Sequence, residues 1–377
     1  MNIIQVKKVY QYLLDRFRIN PIPITNETKN LFQFIDTQQM FEKEEEEIKT
    51  DNIKILQINY EVTYSESIKM KEENKDKQMK FKQIVYEKED RMIYGETIPD
   101  DITILGNRCF EKSSFTEIII PSNVKIIKPW CFRQSYGISK MIIPDSVTKI
   151  EMYAFNGCSN LTSVVMSSNL TKISDGIFEN CINLKEIHIP QHLNTFSMKC
   201  FNNCNSLSEI EIPSSVEWFG KKCFNNCSIL KSIRIPSSVK SIETKSFKNC
   251  KQLEELIIEN EKICLKSQFF EGCTSLTKIQ IPTINGYCLY IPSNEEKKIL
   301  ERNGIKMYHS FSNQIVRKEL KSIEIVNDEI LSIDDLKCYN YTSLYIPSTI
   351  SKLETTFFFF YVEEYEGTYS SSKYYNF

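Results

Sequence analysis

Residues 230–250 read LKSIRIPSSVKSIETKSFKNC, and this pattern recurs along the middle of the chain at an interval of 23 residues, with one step of 22. Each copy has an L-x-x-I-x-I segment, a V-x-x-I segment, and a phenylalanine followed three residues later by cysteine or serine. A unit this short cannot bury a core of its own, so apolar columns at a fixed interval predict that consecutive units stack. The phenylalanine column comprises Phe110, Phe132, Phe155, Phe178, Phe201, Phe224, Phe247 and Phe270.

The repeat resembles the leucine-rich repeat of BspA-like proteins, whose pattern L-x-x-I-x-I-P-x-S-V-x-x-I-x-x-x-A-F-x-x-C is matched by residues 230–250. The flanking sequences DRFRINPIPIT and RMIYGETIPDDITILGNRCF resemble the amoebal branch of that family, and the whole resemblance covers about residues 15–290. It implies a protein that binds other macromolecules, in some members at cell surfaces and in adhesion. It implies no catalytic residues.

The predicted fold class is an α+β repeat solenoid, a leucine-rich repeat array with a parallel β-sheet on its concave face, flanked by small β-α-β modules. In the second module Ser293 suits a helix N-cap, and Gly304 suits the residue just past the helix end. The modules are expected to cap the array, because terminal repeats expose apolar edges. The predicted segments are an N-terminal helical or loop segment (1–50), an N-terminal β-α-β capping module (51–104), eight repeats (105–288), a second β-α-β module or cap (289–319), and degenerate repeats with a C-terminal tail (320–377).

The chain has 13 cysteines, and two C-x-x-x-C pairs, Cys200 with Cys204 and Cys223 with Cys227, raise the question of a zinc site or a redox pair. Both pairs fall in columns that hold small or apolar residues in the other repeats, which indicates that these cysteines pack in the core. A structural zinc site has a few ligands and not a column the length of the array. We therefore expect no metal, and expect that serine at position 227 costs about 1–3 kcal/mol through an unpaired hydroxyl.

The net charge of −2, from 47 basic and 49 acidic residues, gives no field that would favour nucleic acid. The N-terminus lacks the uninterrupted apolar stretch of a secretory signal, and the longest apolar run, TTFFFFYV, is far shorter than the roughly 20 residues that span a bilayer. We expect no nucleic-acid partner, no membrane span, a monomer, and a cytoplasmic location, whereas the family resemblance also implies the cell surface.

Motifs for catalysis are missing from the sequence. No phosphate-binding glycine loop and no nucleophile motif is present, and only 10 glycines are available to build such loops. His188 and His192 bracket Pro190 at a strand end, which argues against the helical spacing that would aim both imidazoles at one metal. The sequence therefore predicts no enzyme and no cofactor.

A binding surface is predicted on the outward side of the L-x-x-I-x-I strands, because alternate side chains of a strand point to opposite faces. The outward line begins apolar and becomes charged along the array. Adjacent exposed apolar residues often mark a contact surface, but β-branched residues also suit strands for conformational reasons alone. The predicted binding residues are Thr116, Ile119, Ser139, Ile142, Thr162, Val165, His188, Glu211 and Arg234.

These patterns predict a non-enzymatic leucine-rich repeat protein that binds protein or another macromolecule through its concave sheet. Two alternatives stay open. The first is an intracellular adaptor or scaffold that binds through its flanking modules, and the second is a cysteine-dependent metal or redox protein.

Overall fold

The repeats form a parallel-strand β-solenoid in which a unit contributes up to two short strands, one from each apolar segment. The fold is that of a computed structural model. The structure describes residues 17–307 except 26–27, 29–31, 33, 46, 49–51, 261–262, 267, 282, 285–286, 289–292 and 305. The predictions for residues 1–16 and for the degenerate repeats and tail at 320–377 lie outside the described residues.

Parallel strands of the N-terminal segment lead directly into the repeats. The N-terminal elements in chain order are β1 (Thr37–Met40), β2 (Ile55–Thr63), α1 (Tyr64–Glu73), β3 (Gln78–Tyr86) and α2 (Lys88–Tyr94). The three strands lie in the order β1-β2-β3, and β3 pairs with the first repeat strand, β4 (Ile104–Leu105).

Two ladders of parallel strands run along the repeats. The first ladder, formed by the L-x-x-I-x-I segments, comprises β6 (Lys140–Ile142), β8 (Ser163–Val165), β10 (Glu186–His188), β13 (Ser232–Ile235), β15 (Glu255–Ile258) and β17 (Lys278–Gln280). The second ladder, formed by the V-x-x-I segments, comprises β4 (Ile104–Leu105), β5 (Ile126–Ile127), β7 (Lys149–Ile150), β9 (Lys172–Ile173), β11 (Thr195–Phe196), β12 (Trp218–Phe219), β14 (Ser241–Ile242) and β16 (Cys264–Leu265). The described residues from 95 to 281 include no helix.

The array ends in a small three-stranded sheet and one helix. Ser293 is the helix N-cap, as the sequence predicts, and its hydroxyl accepts a hydrogen bond from the Glu296 amide. Gly304 follows the helix in the left-handed conformation, with a φ of 74°. The elements are β18 (Thr283–Ile284), β19 (Tyr287–Cys288), α3 (Asn294–Arg302) and β20 (Lys306–Met307).

The phenylalanine column forms a continuous ring stack inside the solenoid. From Phe110 to Phe247, each ring lies 5.0–5.6 Å from the next, with interplanar angles of 2–17°. All of these rings are fully buried. Identical side chains at one position of each repeat therefore stack at about the strand spacing of the ladders.

The cysteine column is buried, as the sequence predicts, but its thiols are not merely apolar filler. Each thiol donates to the carbonyl oxygen of the phenylalanine in the preceding repeat, as Cys227 does to Phe201 at 3.3 Å. Ser135 stands in the same column and donates to the Phe110 carbonyl at 2.6 Å. The expectation that a hydroxyl here would be unpaired is therefore wrong, because the column supplies an acceptor.

The first ladder is less regular than the sequence predicts. Eight outward segments were expected to form strands, but residues 117–120 and 209–212 lie outside any strand, and the ladder consists of two three-stranded sheets. Glu186 and Glu209 occupy the same outward position in neighbouring repeats. Like charges at adjacent positions weaken strand pairing, which disfavours pairing of the segment 209–212 with β10.

We expect Cys227→Ser to change the free energy of unfolding by less than about 1 kcal/mol, since a serine hydroxyl can donate to the Phe201 carbonyl as the thiol does. Cys227→Ala removes the donor and leaves a small void, so it should be the more destabilising change, by about 1–2 kcal/mol. Urea unfolding followed by circular dichroism measures both. A serine variant less stable than the alanine variant would contradict the hydrogen-bonded column.

Alkaline pH should destabilise the fold through the ten buried thiols of the described residues. Burial raises the pKa of nine of them: Cys109, Cys131, Cys181, Cys200, Cys204, Cys223, Cys227, Cys250 and Cys273. An unfolded thiol has a pKa near 8.5, so above that pH the unfolded chain loses protons that the folded chain keeps, and the free energy of unfolding falls by about 1.4 kcal/mol per thiol and pH unit. Urea titrations between pH 7 and pH 10 test this, and constant stability up to pH 10 would refute it.

Candidate functional site

The outward side chains of the first ladder form the candidate site, and their exposure follows the predicted alternation. Met141 and Ile143 are only 1–2% exposed, whereas Ile142 between them is 70% exposed. Ile119 and Val165 occupy the equivalent outward position in the neighbouring repeats and are 85% and 39% exposed. Three branched aliphatic side chains thus face solvent in consecutive repeats. We call Ile119, Ile142 and Val165 the apolar stripe.

The strand register places part of the predicted line side by side. Ile142 pairs with Val165, and Val165 pairs with His188, so these three residues lie in one sheet. Arg234 lies in the second sheet, where its neighbours along the line are Ile257 and Gln280. Neighbouring strands are about 4.8 Å apart, so the members of one sheet form a continuous surface.

Two predicted residues lie outside the strands. Ile119 and Glu211 are exposed at the expected repeat position, but they belong to the irregular segments 117–120 and 209–212. The structure therefore does not bring the whole line into one sheet. The apolar stripe and His188 stand at one end, and Arg234 begins a separate sheet.

Some predicted polar residues already have partners within the chain. The Thr162 hydroxyl donates to the Ser139 carbonyl at 2.8 Å, so it supports the ladder. The Arg234 Nε donates to the Glu259 carboxylate at 2.6 Å. The side chains of Thr116 and Ser139 are exposed. An exposed ion pair contributes little to stability, so Arg234 can exchange this partner for a ligand at small cost.

Helix α2 carries an exposed apolar pair that sequence reasoning missed. Met92 and Ile93 are 75% and 68% exposed. Both residues lie in a seven-residue helix. They precede the repeats, so the repeat pattern made no prediction about their exposure.

The repeat turn can be followed back to the residues just after α2. The turn in which the Ile102 amide donates to the Pro99 carbonyl at 3.2 Å matches the turn in which Val124 donates to Pro121 at 3.1 Å. Pro99 therefore stands one repeat before Pro121, and α2 ends just ahead of that unit.

Other kinds of site find no support in the described part of the chain. No group of three or more metal-ligating side chains occurs among the described residues. His188 and His192 are both exposed. Within the same residues, no helix has the length and apolar character needed to cross a membrane.

Stacked repeats, two parallel ladders and an inward phenylalanine column define a leucine-rich repeat solenoid. A model of the BspA type leucine-rich repeat region matches residues 92–208 and 194–315 with six copies, which together span more than half of the chain. The chain belongs to the BspA-type leucine-rich repeat family. No curated protein sequence matches it significantly.

Several solved structures are similar to this chain. A leucine-rich repeat protein from Bacteroides ovatus is 24% identical, with a TM-score of 0.47, and the match covers 60% of this chain and 54% of that protein. The T. pallidum leucine-rich repeat protein is 23% identical over 46% of this chain and 86% of its own, with a TM-score of 0.35. A leucine rich cell surface protein from Faecalibacterium prausnitzii is 16% identical over 64% and 87%, with a TM-score of 0.29. This chain thus matches only about half the length of the Bacteroides protein.

Proposed function

We propose that this protein is a non-enzymatic binding protein that holds a protein partner on the outward face of its first ladder. The apolar stripe carries the proposal, because three adjacent branched aliphatic residues are exposed where the next three repeats have His188, Glu211 and Arg234. Burying one such side chain fully contributes about 1.5–3 kcal/mol. A partner that covers all three would gain most of its affinity there.

The outward side chains of the first ladder change from apolar to charged along the array, and this change indicates which groups the partner should present. It should present apolar side chains to the stripe and complementary charges toward Glu211 and Arg234. Both of these residues are exposed, and exposed charges favour correct alignment and faster association more than they raise affinity. An extended segment that follows the line fits this order of contacts.

The oligomeric state and the cellular location that we propose are those predicted from the sequence. The chain is proposed to act as a monomer, either in the cytoplasm or, as the family resemblance implies, at a cell surface in an adhesive role. Protease treatment of intact cells separates the two locations, since only a surface protein would be cleaved.

Ile142→Asp should weaken partner binding by a factor of ten or more, about 1.4 kcal/mol, because it places a charge in the middle of the apolar stripe. The melting temperature should hardly change, since the side chain is 70% exposed. The measurement compares the affinity of wild-type and variant full-length chains for a partner isolated with the wild type. Thr148→Asp, at an exposed position just before β7 of the second ladder, is the matched control. Equal binding by Ile142→Asp and this control would remove the stripe from the interface.

Binding through a flanking module is the second candidate, and the exposed pair on α2 favours it. Aspartate at both Met92 and Ile93 should abolish binding if the partner docks on that module. Loss of binding in this double variant with full binding by Ile142→Asp would support the adaptor function instead of the ladder.

We further propose that the flanking β-α-β segments cap the array. At the N-terminal end, β3 pairs with β4, and the Tyr86 ring packs 6.2 Å from Phe110, the first ring of the stack. The Arg91 guanidinium lies over the same phenylalanine at 5.7 Å. These contacts cover the ring that has no preceding repeat.

At the C-terminal end, a buried carboxylate takes the place of a following repeat. In the inner repeats, backbone N–H groups of the turn donate to carbonyl oxygens of the next repeat, as the Phe224 amide does to the Ser246 carbonyl at 2.8 Å. In the last repeat the amides of Gln268 and Phe270 donate instead to Glu296 of α3, at 3.0 and 3.1 Å. Buried amides without an acceptor are costly, so this helix position supports a capping role.

Glu296→Gln should destabilise the protein by about 1–3 kcal/mol, because the new amide group would place N–H donors against the backbone N–H groups of the last repeat. Glu295→Gln is the matched control, since Glu295 is exposed on the same helix turn, and it should change stability by less than about 0.5 kcal/mol. Urea unfolding of the full chain measures both. Equally small effects would contradict the cap.

A further inference from the structure

Two bulky aromatic residues occupy left-handed backbone positions in neighbouring turns of the array. The position two residues before each phenylalanine of the column has a φ of 55–61° in all eight copies, and Trp130 and Tyr153 stand there while the other copies have arginine, lysine, glutamine or glycine. The left-handed turn is common to the whole array, so the aromatic side chains, and not the backbone angle, set these two copies apart.

The two aromatic rings belong to a surface stack whose faces are occupied. The Arg108 guanidinium lies 5.1 Å from the Trp130 ring centroid, and the Trp130 and Tyr153 rings are parallel within 2° at 6.1 Å. A Cβ at Gly176, the next member of this column, would lie only 2.1 Å from the Tyr153 ring, so the tyrosine extends over the glycine. The polar groups at the ring edges, the Trp130 indole N–H and the Tyr153 hydroxyl, are still available to a ligand. Within the described residues, neither the Trp130 indole N–H nor the Tyr153 hydroxyl has a hydrogen-bond partner.

A ladder of asparagine side chains ends beside these rings. Each amide donates to the asparagine of the preceding repeat, with N–O distances of 2.7 Å from Asn203 to Asn180, 2.7 Å from Asn226 to Asn203 and 2.9 Å from Asn249 to Asn226. The ladder stops at Asn180 because the preceding position is Gly157. Hydrogen bonds aligned in one direction polarise one another, and here the donor end, the Asn180 amide nitrogen, has no partner among the described residues.

The charged groups beside the rings carry a net positive charge. Arg133 donates to Glu111 at 2.9 Å, and Arg108 lies 3.7 Å from the same carboxylate. Glu179 accepts from Asn202 at 2.7 Å and from Asn156 at 3.4 Å, and Lys199 lies 3.8 Å away. Three cations stand against two carboxylates. Each guanidinium has five N–H donors, so most arginine donors remain available while Glu111 fixes the position of both groups.

One open cleft of about 380 Å³ has a surplus of hydrogen-bond donors and is lined by Arg108, Trp130, Arg133, Tyr153, Asn156, Glu179 and Asn180. We propose that the cleft binds an acidic sugar, a pyranose unit that carries a carboxylate or a sulfate. The volume suits a ligand of this size. The anionic group would pair with the Arg108 and Arg133 guanidinium groups, whose planar forks match oxyanions. The sugar hydroxyls would accept from Trp130, Tyr153 and Asn180 and donate to Glu179.

The cleft shares no residue with the apolar stripe, so this proposal is independent of the proposed protein partner. Its walls are polar groups and ring edges, and both ring faces are covered. A neutral sugar would leave the arginine donors facing water, and an apolar peptide would leave the ring edges unpaired. The acidic sugar uses both sets of groups.

The indole N–H signals in NMR spectra of the full chain test the proposal, because the protein has only two tryptophans. Trp218→Phe leaves the Trp130 signal alone and assigns it. Glucuronate and glucose 6-sulfate should each shift this signal in a saturable manner, whereas glucose at the same concentrations should leave it in place. No shift with either acidic sugar, or an equal shift with glucose, would overturn the proposal. An equal shift with inorganic sulfate alone would reveal a simple anion site and would also overturn it.

Gly157→Asn provides the sharpest variant. Asparagine tolerates the φ of 74° at this position, and its Cβ would lie 3.1 Å from Cγ of Gln134, a flexible side chain that can shift by a few tenths of an ångström. The new side chain would accept from Asn180, extend the ladder and remove the available Asn180 donor from the cleft. The variant should keep the wild-type melting temperature and lose glucuronate binding by at least tenfold. Arg133→Gln, which removes one guanidinium without extending the ladder, should cause a similar loss and keeps the test valid if the first variant folds poorly. Wild-type glucuronate affinity in a folded form of either variant would refute the assignment, and Ile142→Asp is the control that should bind glucuronate normally.

Discussion

Parallel pairing of one repeat with the next at a fixed register is the constraint on which the rest of the structure depends. Because neighbouring strands are separated by a constant distance of about 4.8 Å, every side chain stands directly beside its counterpart from the adjacent repeat. A residue type that packs or hydrogen-bonds well with itself is therefore favoured at each position. The stacked phenylalanine rings, the thiols that donate to the preceding repeat and the asparagine ladder are three results of this one geometry.

The same geometry makes the two ends of the array vulnerable. An inner repeat satisfies its turn amides and its ring faces through its neighbours, but the first and last repeats each lack one neighbour. A different group takes the place of the missing neighbour at each end. An aromatic ring, Tyr86, stands against the exposed face of Phe110, and a carboxylate, Glu296, stands where the next repeat would offer carbonyl oxygens. Each substitute has the chemistry of the group that is missing.

The repeat period was sufficient to predict the inward columns, the exposure of Ile142 and the helix start at Ser293, since each follows from spacing or from a short local signal. It could not predict the hydrogen bond of the Cys227 thiol, because an apolar column and a hydrogen-bonded column look alike in sequence. It also missed the irregular segments 117–120 and 209–212, whose residues match the repeat pattern but form no strand. Trp130 and Tyr153 are visible in the sequence as the aromatic members of their column, but the spacing alone could not predict that their rings stack on each other and on Arg108.

Departures from the repeat carry the functional information in such a molecule. Stacking explains why a position has the same residue in many copies, so it cannot explain a residue found in only one or two. Gly157 stands at the end of the asparagine ladder, where the preceding copies have Gln134 and Lys112, and Trp130 and Tyr153 are the aromatic members of a left-handed column whose other members are arginine, lysine, glutamine and glycine. The apolar stripe likewise occupies exposed positions at which the next three repeats have His188, Glu211 and Arg234. These departures fall in the first half of the array, near the N-terminal segment, and this is where recognition by the protein should be sought.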